Sequence, residues 1–261
     1  MAKAPAPALR EINIHEGKWF TGEQYKAALE SGELSAHDQI YFRASGVSKL
    51  MSYADKSIIP DGAMTEIKKT ANRIIYGTEP DLNTFAIDKG RECEELGIDL
   101  YNEVKFTFHV KNSTRMYYWH PEAGIILSGE CDLECLEAIG KKTIDIKIAY
   151  NTESMPLWLE EGDKKEYEWQ LDCYNLLYHT HLSEIAYCLV STPEHLIKKG
   201  EPLNWHLVDH IPPEHRLSTI ERNRDDVRIN QVLNRLILAK QKVLDLLKQR
   251  NFNINERQKA A

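Results

Sequence analysis

Residues 143–149 place two charged side chains on one side of an otherwise apolar strand. The segment reads TIDIKIA, with isoleucine at every second position. Because successive side chains of a β-strand point to opposite faces, Asp145 and Lys147 share one face and the three isoleucines share the other. The pattern predicts a strand with one face in the core, whose other face carries a carboxylate beside an ammonium group.

A second acidic strand, GECDLECL, precedes this one and brings Asp132 and Glu134 close to it. A loop over residues 138–141 would place Asp132 opposite Lys147 and Glu134 opposite Asp145. Directly opposed side chains lie about 5 Å apart and diagonal ones about 7–8 Å, so Asp132 and Asp145 can flank one ion. A register shift of one residue would destroy this arrangement.

Two carboxylates with a lysine beside them have the chemistry to bind a hard divalent cation next to a phosphate group. Magnesium takes oxygen ligands, commonly one or two carboxylates completed by water and phosphate oxygens. The metal would polarise a phosphoryl oxygen and activate a water molecule, and Lys147 could orient that water or offset negative charge. The alternative without catalysis is a half-exposed hairpin whose charged face simply contacts solvent.

The elements around this hairpin follow from periodicity and from turn residues. Helical periodicity predicts helices over residues 21–31, 47–54, 63–76 and 84–96, the last capped by Gly97. Short β-rich runs then predict an antiparallel meander over residues 104–110, 115–120, 124–127, 130–136 and 142–149.

The second half of the chain contains two further helices and two short strands. A helix is predicted over residues 164–180, opened by the capping box Asp163-x-x-Glu166. Strands are predicted over residues 184–190 and, at an edge, 204–208. After Pro212 and Pro213, a long amphipathic helix is predicted to reach Gln249, and docking on the domain is favoured over an oligomer-forming coiled coil. Its apolar stripe consists of Ile229, Leu233, Leu236, Val243 and Leu247.

The composition is that of an ordinary globular protein. The 261 residues can form one α/β domain with appendages or two small domains, and a 42% hydrophobic content argues against disorder. No run approaches the roughly 18 apolar residues of a membrane span, and the first eight residues are interpreted as a flexible tail of a cytoplasmic protein. The formal charge of −7 counts against a nucleic-acid partner, although a site for divalent cations must itself concentrate carboxylates.

Cysteine and histidine chemistry finds little support in the sequence. The five cysteines include no C-x-x-C pair, so reduced, mostly buried thiols are predicted rather than disulfides or a zinc ribbon. Cys173 has no motif of a nucleophile. His179 and His181 are two residues apart and would not share a helix face.

Four motifs, in this order along the chain, together resemble the PD-(D/E)xK exonucleases, in particular the lambda exonuclease and YqaJ-type viral recombinase group. They are RASGVS from Arg43 to Ser48, G-x-x-x-E from Gly90 to Glu94, Asp132 followed by Asp145-Ile-Lys147, and Gln170-x-x-x-Tyr174. The likeness covers about residues 43–178. The proline that usually precedes the first aspartate is absent, which leaves the choice between Asp132 and Glu134 open.

The resemblance implies a role for each matched residue. The implied catalytic residues are Glu94, Asp132, Asp145 and Lys147. The implied metal-site residues are Glu94, Asp132, Asp145 and Ile146. The implied DNA-binding residues are Arg43, Ser45, Ser48, Gln170 and Tyr174. Plainer interpretations stay open for several of them: Ser45 could only cap a helix, Glu94 could belong to an acidic solvent face, and Tyr174 could only pack against the sheet.

The resemblance also implies a fold and an activity. The fold is α/β, a restriction-endonuclease-like core with a mixed central sheet flanked by helices, over residues 41–211. Residues 1–40 would be a helical extension and residues 212–261 a C-terminal helix and tail. The activity is that of a magnesium-dependent DNA exonuclease, with manganese as a substitute, degrading one strand from duplex ends for phage-type recombination or DNA processing.

Partners and alternatives follow from the same likeness. The implied partners are double-stranded DNA ends, a single-strand annealing protein and further copies of the chain. Binding to a membrane is not implied. A DNA-processing endonuclease of the same fold is the first alternative. A catalytically silent DNA-binding or assembly subunit is the second, and the intact set of two acids and a lysine counts against it. The related spacer-acquisition nucleases carry an iron–sulfur cysteine cluster near the C-terminus, which nothing after Cys188 could supply.

Overall fold

The computed structural model of the chain describes residues 9–78, 84–137, 140–158, 162 and 165–257. The described strands are β1 (Lys18–Thr21), β2 (Tyr41–Arg43), β3 (Met116–His120), β4 (Ile125–Gly129), β5 (Leu133–Glu137), β6 (Gly140–Ile148), β7 (Leu182–Cys188) and β8 (Leu217–Asn223). The described α-helices are α1 (Gly22–Ser31), α2 (Ala44–Val47), α3 (Met64–Tyr76), α4 (Phe85–Glu92), α5 (Glu94–Lys105), α6 (Lys165–Leu177), α7 (Asp226–Gln249) and α8 (Ile254–Arg257). Short 3₁₀ helices lie at Ile14–Glu16, Ala36–Gln39, Ser48–Leu50, Asp61–Ala63, Thr152–Ser154, Glu194–Leu196, Leu203–Trp205 and Pro213–His215.

The described strands form two mixed sheets. The first has the order β1-β3-β4-β2, in which β2 runs parallel to β4 and the other pairs are antiparallel. The second has the order β5-β6-β7-β8, in which β6 and β7 are parallel and both outer pairs are antiparallel. Because parallel neighbours need a crossover connection, α6 lies between β6 and β7 along the chain.

Helix α6 joins the two sheets. It packs on β4 of the first sheet and on β6 and β7 of the second, and α2 packs against it. Gly129 at the end of β4 permits this approach, because a Cβ there would lie 2.7 Å from Leu177 and 3.0 Å from Tyr174. The large core cluster, which contains most of α6, therefore continues from one sheet to the other.

Helix α5 covers the opposite face of the second sheet. Ile98 and Tyr101 of α5 pack there with Ile144 and Ile146 of β6. Gly97 lies inside α5, where a Cβ would collide with the side chains of Ile148 and Ile146. The helix and the strand are therefore in close contact.

Lys89 of α4 ties that helix to the ends of the two parallel strands. Its side chain is fully buried. The ammonium group donates hydrogen bonds to the main-chain oxygens of Ala149 (2.9 Å), Tyr150 (3.0 Å) and Val190 (2.7 Å), which directly follow β6 and β7. A buried charge needs such compensation, and here it comes from three carbonyl dipoles.

The predicted α/β fold class, with mixed β-structure, flanking helices and a long C-terminal helix, is confirmed, although the described strands form two sheets rather than one central sheet. The predicted meander is divided instead, because β3 and β4 belong to one sheet and β5 and β6 to the other. β1, from the predicted N-terminal extension, pairs with β3, and β8, from the predicted C-terminal segment, pairs with β7.

Several element predictions are wrong. The predicted helix over residues 84–96 is interrupted at Cys93 and continues as α5 to Lys105, so Gly97 does not cap it and residues 104–110 form no strand. Residues 204–208 also form no strand. The long helix begins only at Asp226, capped by Asp225, because residues 217–223 form the eighth strand.

Other predictions agree with the structure. Helices α1 and α3 lie within a residue of their predicted bounds, and the apolar stripe of α7 is buried within the chain, as docking on the domain requires. All five cysteines are free and buried. In the described part of the chain, no helix is long and apolar enough to cross a lipid bilayer. The capping box at Asp163 lies outside the described residues, as do the two residues that connect β5 to β6.

We predict that the substitutions Gly97→Ala and Gly90→Ala change the stability in opposite directions. The first adds a methyl group to a filled contact and should lower the free energy of unfolding by about 1–3 kcal/mol. The second should raise it by about 0.5–1 kcal/mol, because Gly90 is helical and a Cβ there meets nothing within 4 Å. Urea denaturation of both variants measures this, and equal effects would show that the α5 contact is looser than described.

Candidate active site

Asp145 lies on the central strand β6 and is buried beneath α6, with 2% of its surface exposed. Its Oδ1 accepts a hydrogen bond from Gln170 Nε2 at 3.1 Å, and the Tyr174 hydroxyl lies 3.3 Å from the same oxygen. That hydroxyl also accepts from Gln170 (2.8 Å) and lies 3.0 Å from the main-chain oxygen of Glu130. Two residues one helical turn apart on α6 therefore fix the orientation of this carboxylate.

Asp132 lies one residue before β5 and approaches β6 from the edge. Its Oδ2 accepts a hydrogen bond from the main-chain N–H of Ile146 at 2.6 Å, beyond the last β5–β6 pair, Leu133 with Ile144. Burial raises the pKa of Asp132 to about 7, and the charge of Asp145 adds to the rise, while Lys147 and the Ile146 N–H oppose it. Asp145 is thus close enough for its charge to disfavour the ionisation of Asp132.

The predicted register of the hairpin is wrong by two residues. Glu134 lies opposite Thr143 rather than opposite Asp145, and continuing this register places Asp132 level with Asp145 rather than with Lys147. Because a shift of two residues preserves the face of every side chain, the convergence of the two aspartates survives the error. Glu134 is exposed on β5 and pairs with Lys141 at 2.7 Å, so the geometry favours Asp132 as the first acid of the hairpin.

Lys147 pairs with Asp145 on the same face of β6, as the alternation predicts. Its ammonium group contacts Oδ2 of Asp145 and lies 5.5 Å from the centre of the Tyr167 ring. Burial by itself lowers the pKa of Lys147, but the attraction of Asp145 and Asp132 outweighs burial and raises the pKa. Lys147 is therefore a charged group that offsets the repulsion between the two acids.

Glu94 is the first residue of α5 and reaches the same region from the other side of the sheet. Its Oε2 pairs with Lys111 Nζ at 2.9 Å, and its charge contributes to the raised pKa of Asp132. Its neighbours Glu92 and Glu95 are exposed, whereas the Glu94 side chain is only 23% exposed. Among these three acids, Glu94 is the one that turns towards the hairpin.

The three acids are neighbours but do not form a compact shell. In the part of the chain that the structure describes, no three His, Cys, Asp or Glu side chains are arranged to hold a metal ion. Lysine ammonium groups contact two of the acids instead, Lys147 at Asp145 and Lys111 at Glu94. Carboxylate oxygens and main-chain carbonyls are the ligands that hard divalent cations take. Glu94, Asp132, Asp145 and the main chain of Ile146 are thus the described groups with suitable chemistry.

The predicted DNA-binding residues of the first motif lie beside α6. Arg43 ends β2 and is the N-cap residue of α2, which ends at Val47 and is followed by a 3₁₀ turn, so the helix predicted over residues 47–54 is wrong. Ser45 is exposed inside α2 and does not cap it, and Ser48 begins the next turn. Because α2 packs on α6, these three residues lie next to the helix that carries Gln170 and Tyr174.

Lys111 and Asn112 are site residues that the sequence did not reveal. Lys111 contacts Glu94, and Asn112 donates its main-chain N–H to Asp132 O (2.7 Å) and its amide to Cys131 O (2.9 Å). Tyr178 is buried, and its hydroxyl donates to Thr114 O at 2.7 Å. Neither Lys111 nor Asn112 belongs to a periodic pattern, and only the tertiary contacts identify them.

Comparison with solved structures finds exonucleases. A phage-related exonuclease from Haemophilus somnus 129PT matches with a TM-score of 0.70 and 25% identity, over 80% of this chain and 96% of its own. The alkaline exonuclease LHK-Exo from Laribacter hongkongensis matches with a TM-score of 0.59 and 16% identity, over 88% of this chain and 100% of its own. The same enzyme in complex with dAMP matches with a TM-score of 0.57 and 16% identity, over 84% of this chain and 98% of its own.

The sequence comparisons give no match: no family model and no curated protein matches the chain. The resemblance to this group of exonucleases is nevertheless confirmed by structure, because the solved neighbours are a phage-related exonuclease and an alkaline exonuclease. The fold of the chain is therefore that of these nucleases.

We predict that Asp132 makes the stability of the metal-free protein depend on pH. Its pKa of about 7 in the folded chain exceeds the ordinary value of 3.8, so the folded state holds this proton more tightly than the unfolded state does. The contribution of Asp132 to stability should be complete at low pH and decline as the pH rises from 3.8 towards 7.

Urea unfolding in EDTA at a series of pH values measures this effect. The matched control is Asp132→Asn, which keeps the shape of the side chain and has no proton to release. The difference in unfolding free energy between wild type and variant should change across this pH range. A constant difference would mean that the pKa of Asp132 is the same in the folded and unfolded chain.

Proposed function

We propose that the protein is a magnesium-dependent deoxyribonuclease that degrades one strand of duplex DNA from an end. The observation that carries the proposal is the buried Asp145 carboxylate, with Asp132 and Lys147 beside it. The fold supports it, because the solved neighbours are exonucleases. One neighbour is in complex with dAMP, which supports a polymer of deoxynucleotides as the substrate.

The donor set fits a hard divalent cation. Asp132, Asp145 and Glu94 would hold it with carboxylate oxygens, and Ile146 with its main-chain oxygen, since its side chain packs towards α5. Oδ2 of Asp145 is buried and already accommodates the positive charge of Lys147. When bound, magnesium would polarise the phosphate and lower the pKa of a water molecule.

The remaining residues position these groups and neutralise charge. Lys147 would donate from its ammonium group to a phosphate oxygen as negative charge develops there. Gln170 and Tyr174 would keep Oδ1 of Asp145 fixed through their hydrogen bonds. Arg43, Ser45 and Ser48, in and beside α2, would contact DNA phosphates through a guanidinium group and two hydroxyls.

The biological setting is also a proposal. Degradation of one strand would expose single-stranded DNA for an annealing protein in phage-type recombination or DNA processing. Assembly of several copies of the chain and the use of manganese in place of magnesium remain predictions from the family resemblance.

We predict that the protein with magnesium degrades linear duplex DNA and leaves closed circular DNA intact. Asp145→Asn should lower the rate by a factor of about 100 or more, because it removes a charge at the proposed metal. The matched control is Glu134→Gln, an acid on the same hairpin that pairs with Lys141, and it should retain activity. Cutting of closed circles would indicate an endonuclease, and activity that survives Asp145→Asn would refute the proposed site.

We further predict that Gln170→Ala and Tyr174→Phe mainly raise the magnesium concentration that activity requires. Loss of a group that orients a metal ligand should raise the magnesium concentration for half-maximal activity by about 10–100-fold. The readout is the dependence of the rate on magnesium, with unfolding curves as the control for folding. A lower maximal rate with an unchanged magnesium dependence would show instead that these residues contact DNA.

A further inference from the structure

The segment that follows α5 exposes aromatic side chains beside the candidate active site. Phe106, Phe108 and Val110 are 91%, 98% and 81% exposed, whereas Thr107 and His109 between them are partly covered. Large apolar side chains are seldom so exposed in adjacent positions unless they bind something. We call residues 106–111 the aromatic segment.

Two asparagines hold the aromatic segment at its ends. Asn102 of α5 accepts hydrogen bonds from Thr107 Oγ1 and from the His109 N–H, both at 2.9 Å, and donates to the His109 oxygen at 2.9 Å. At the other end, Asn112 is bound to the main-chain oxygens of Asp132 and Cys131. The backbone is therefore anchored while the rings point outwards, which is the arrangement of a preformed binding surface.

Phe106 occupies a backbone conformation that disfavours its side chain. Its φ of 55° lies in the left-handed region, and its N–H caps α5 at the Asn102 oxygen. Glycine is the usual residue at such a helix end, because a side chain is strained there. The Phe106 ring is almost fully exposed, so it adds little packing to offset this strain. An exposed ring at a strained position points to a function outside folding.

The aromatic segment also carries positive charge and leads directly into the site. Lys111 lies three residues after Phe108 and pairs with Glu94, and the charge of Asp132 acts on it as well. Lys105 lies directly before Phe106 and is exposed. A cleft of about 380 Å³, lined by Lys111 and Lys141 among others, begins at Val110 and Lys111. Exposed rings flanked by lysines are suited to a ligand with flat apolar faces and negative charge.

We propose that Phe106 and Phe108 stack on nucleobases of an unpaired DNA strand next to the active site, with Lys105 and Lys111 facing its phosphates. The proposal rests on the proposed function for its substrate class. Aromatic side chains bind single strands in a sequence-tolerant way, because every base has a flat π-face, whereas the bases of a duplex already stack on each other. The flanking lysines favour this ligand over an apolar protein surface.

The first test measures binding of single-stranded DNA without cleavage. Fluorescence anisotropy in EDTA compares wild type, Phe106→Ala/Phe108→Ala and the control Tyr76→Ala, an aromatic residue 70% exposed at the end of α3. Two probes are used: a labelled thymidine 12-mer, and the same strand with abasic sites that keep the phosphates. The double variant should bind the 12-mer about tenfold more weakly or worse, and the control should match wild type.

The abasic strand distinguishes stacking from charge. Wild type should bind it about as weakly as the double variant binds the normal strand, and the double variant should not discriminate between the two strands. Equal affinity of wild type for both strands would overturn the proposal. So would an unchanged affinity of the double variant, or a change of its sedimentation coefficient that shows the rings buried between copies of the chain.

A second variant separates binding from folding. Phe106→Gly removes the ring and the strain together, so its thermal unfolding midpoint should equal or exceed that of wild type while its affinity for the 12-mer falls. A lower midpoint with unchanged affinity would assign Phe106 to the fold. These binding measurements need no cleavage. The stacking proposal can therefore fail while the nuclease test with Asp145→Asn succeeds, and the reverse.

Discussion

The buried carboxylate of Asp145 constrains everything around it. An ionised group on a central strand is stable in the interior only when hydrogen-bond donors and opposite charge replace the water that it loses. Gln170 and Tyr174 supply the hydrogen-bond donors, and Lys147 supplies the opposite charge. These partners come from different elements, so α6 must cross β6 closely. Gly129 at the end of β4 permits this approach on the side of the first sheet.

The site combines like charges with lysines placed between them. Burial raises the pKa of Asp132, and the negative charges of Asp145 and Glu94 add to the rise. Lys147 and Lys111 each contact one of the acids and reduce the repulsion. Such clusters oppose folding, and proteins keep them where chemistry needs the charge. The arrangement is therefore better understood as a site than as a device for stability.

The sequence predicted the parts that depend on local periodicity. Strict alternation over residues 143–149 determined the faces of Asp145 and Lys147, and a two-residue register error preserved them. The order of motifs predicted the nuclease fold, which the solved neighbours confirm. Helix α5 was missed because its inward residues, Ile98 and Tyr101, precede residues 104–110, in which apolar and polar residues alternate as in a strand. Strand β8 was missed because, half-buried at an edge, it shows no clear alternation. Lys111 has no local signal, since only the tertiary fold brings it to Glu94.

The bonds of Lys89 have a mechanical consequence. One ammonium group binds the chain directly after β6 and after β7, so α4 cannot shift relative to either strand without leaving three carbonyls unsatisfied. Glu94 begins the helix directly after α4, and Asp145 lies on β6. The helix that precedes Glu94 and the strand that carries Asp145 are thus tied together by one side chain. Any group that binds between Glu94 and Asp145 would therefore meet two acids whose supporting elements are tied to each other by these buried hydrogen bonds.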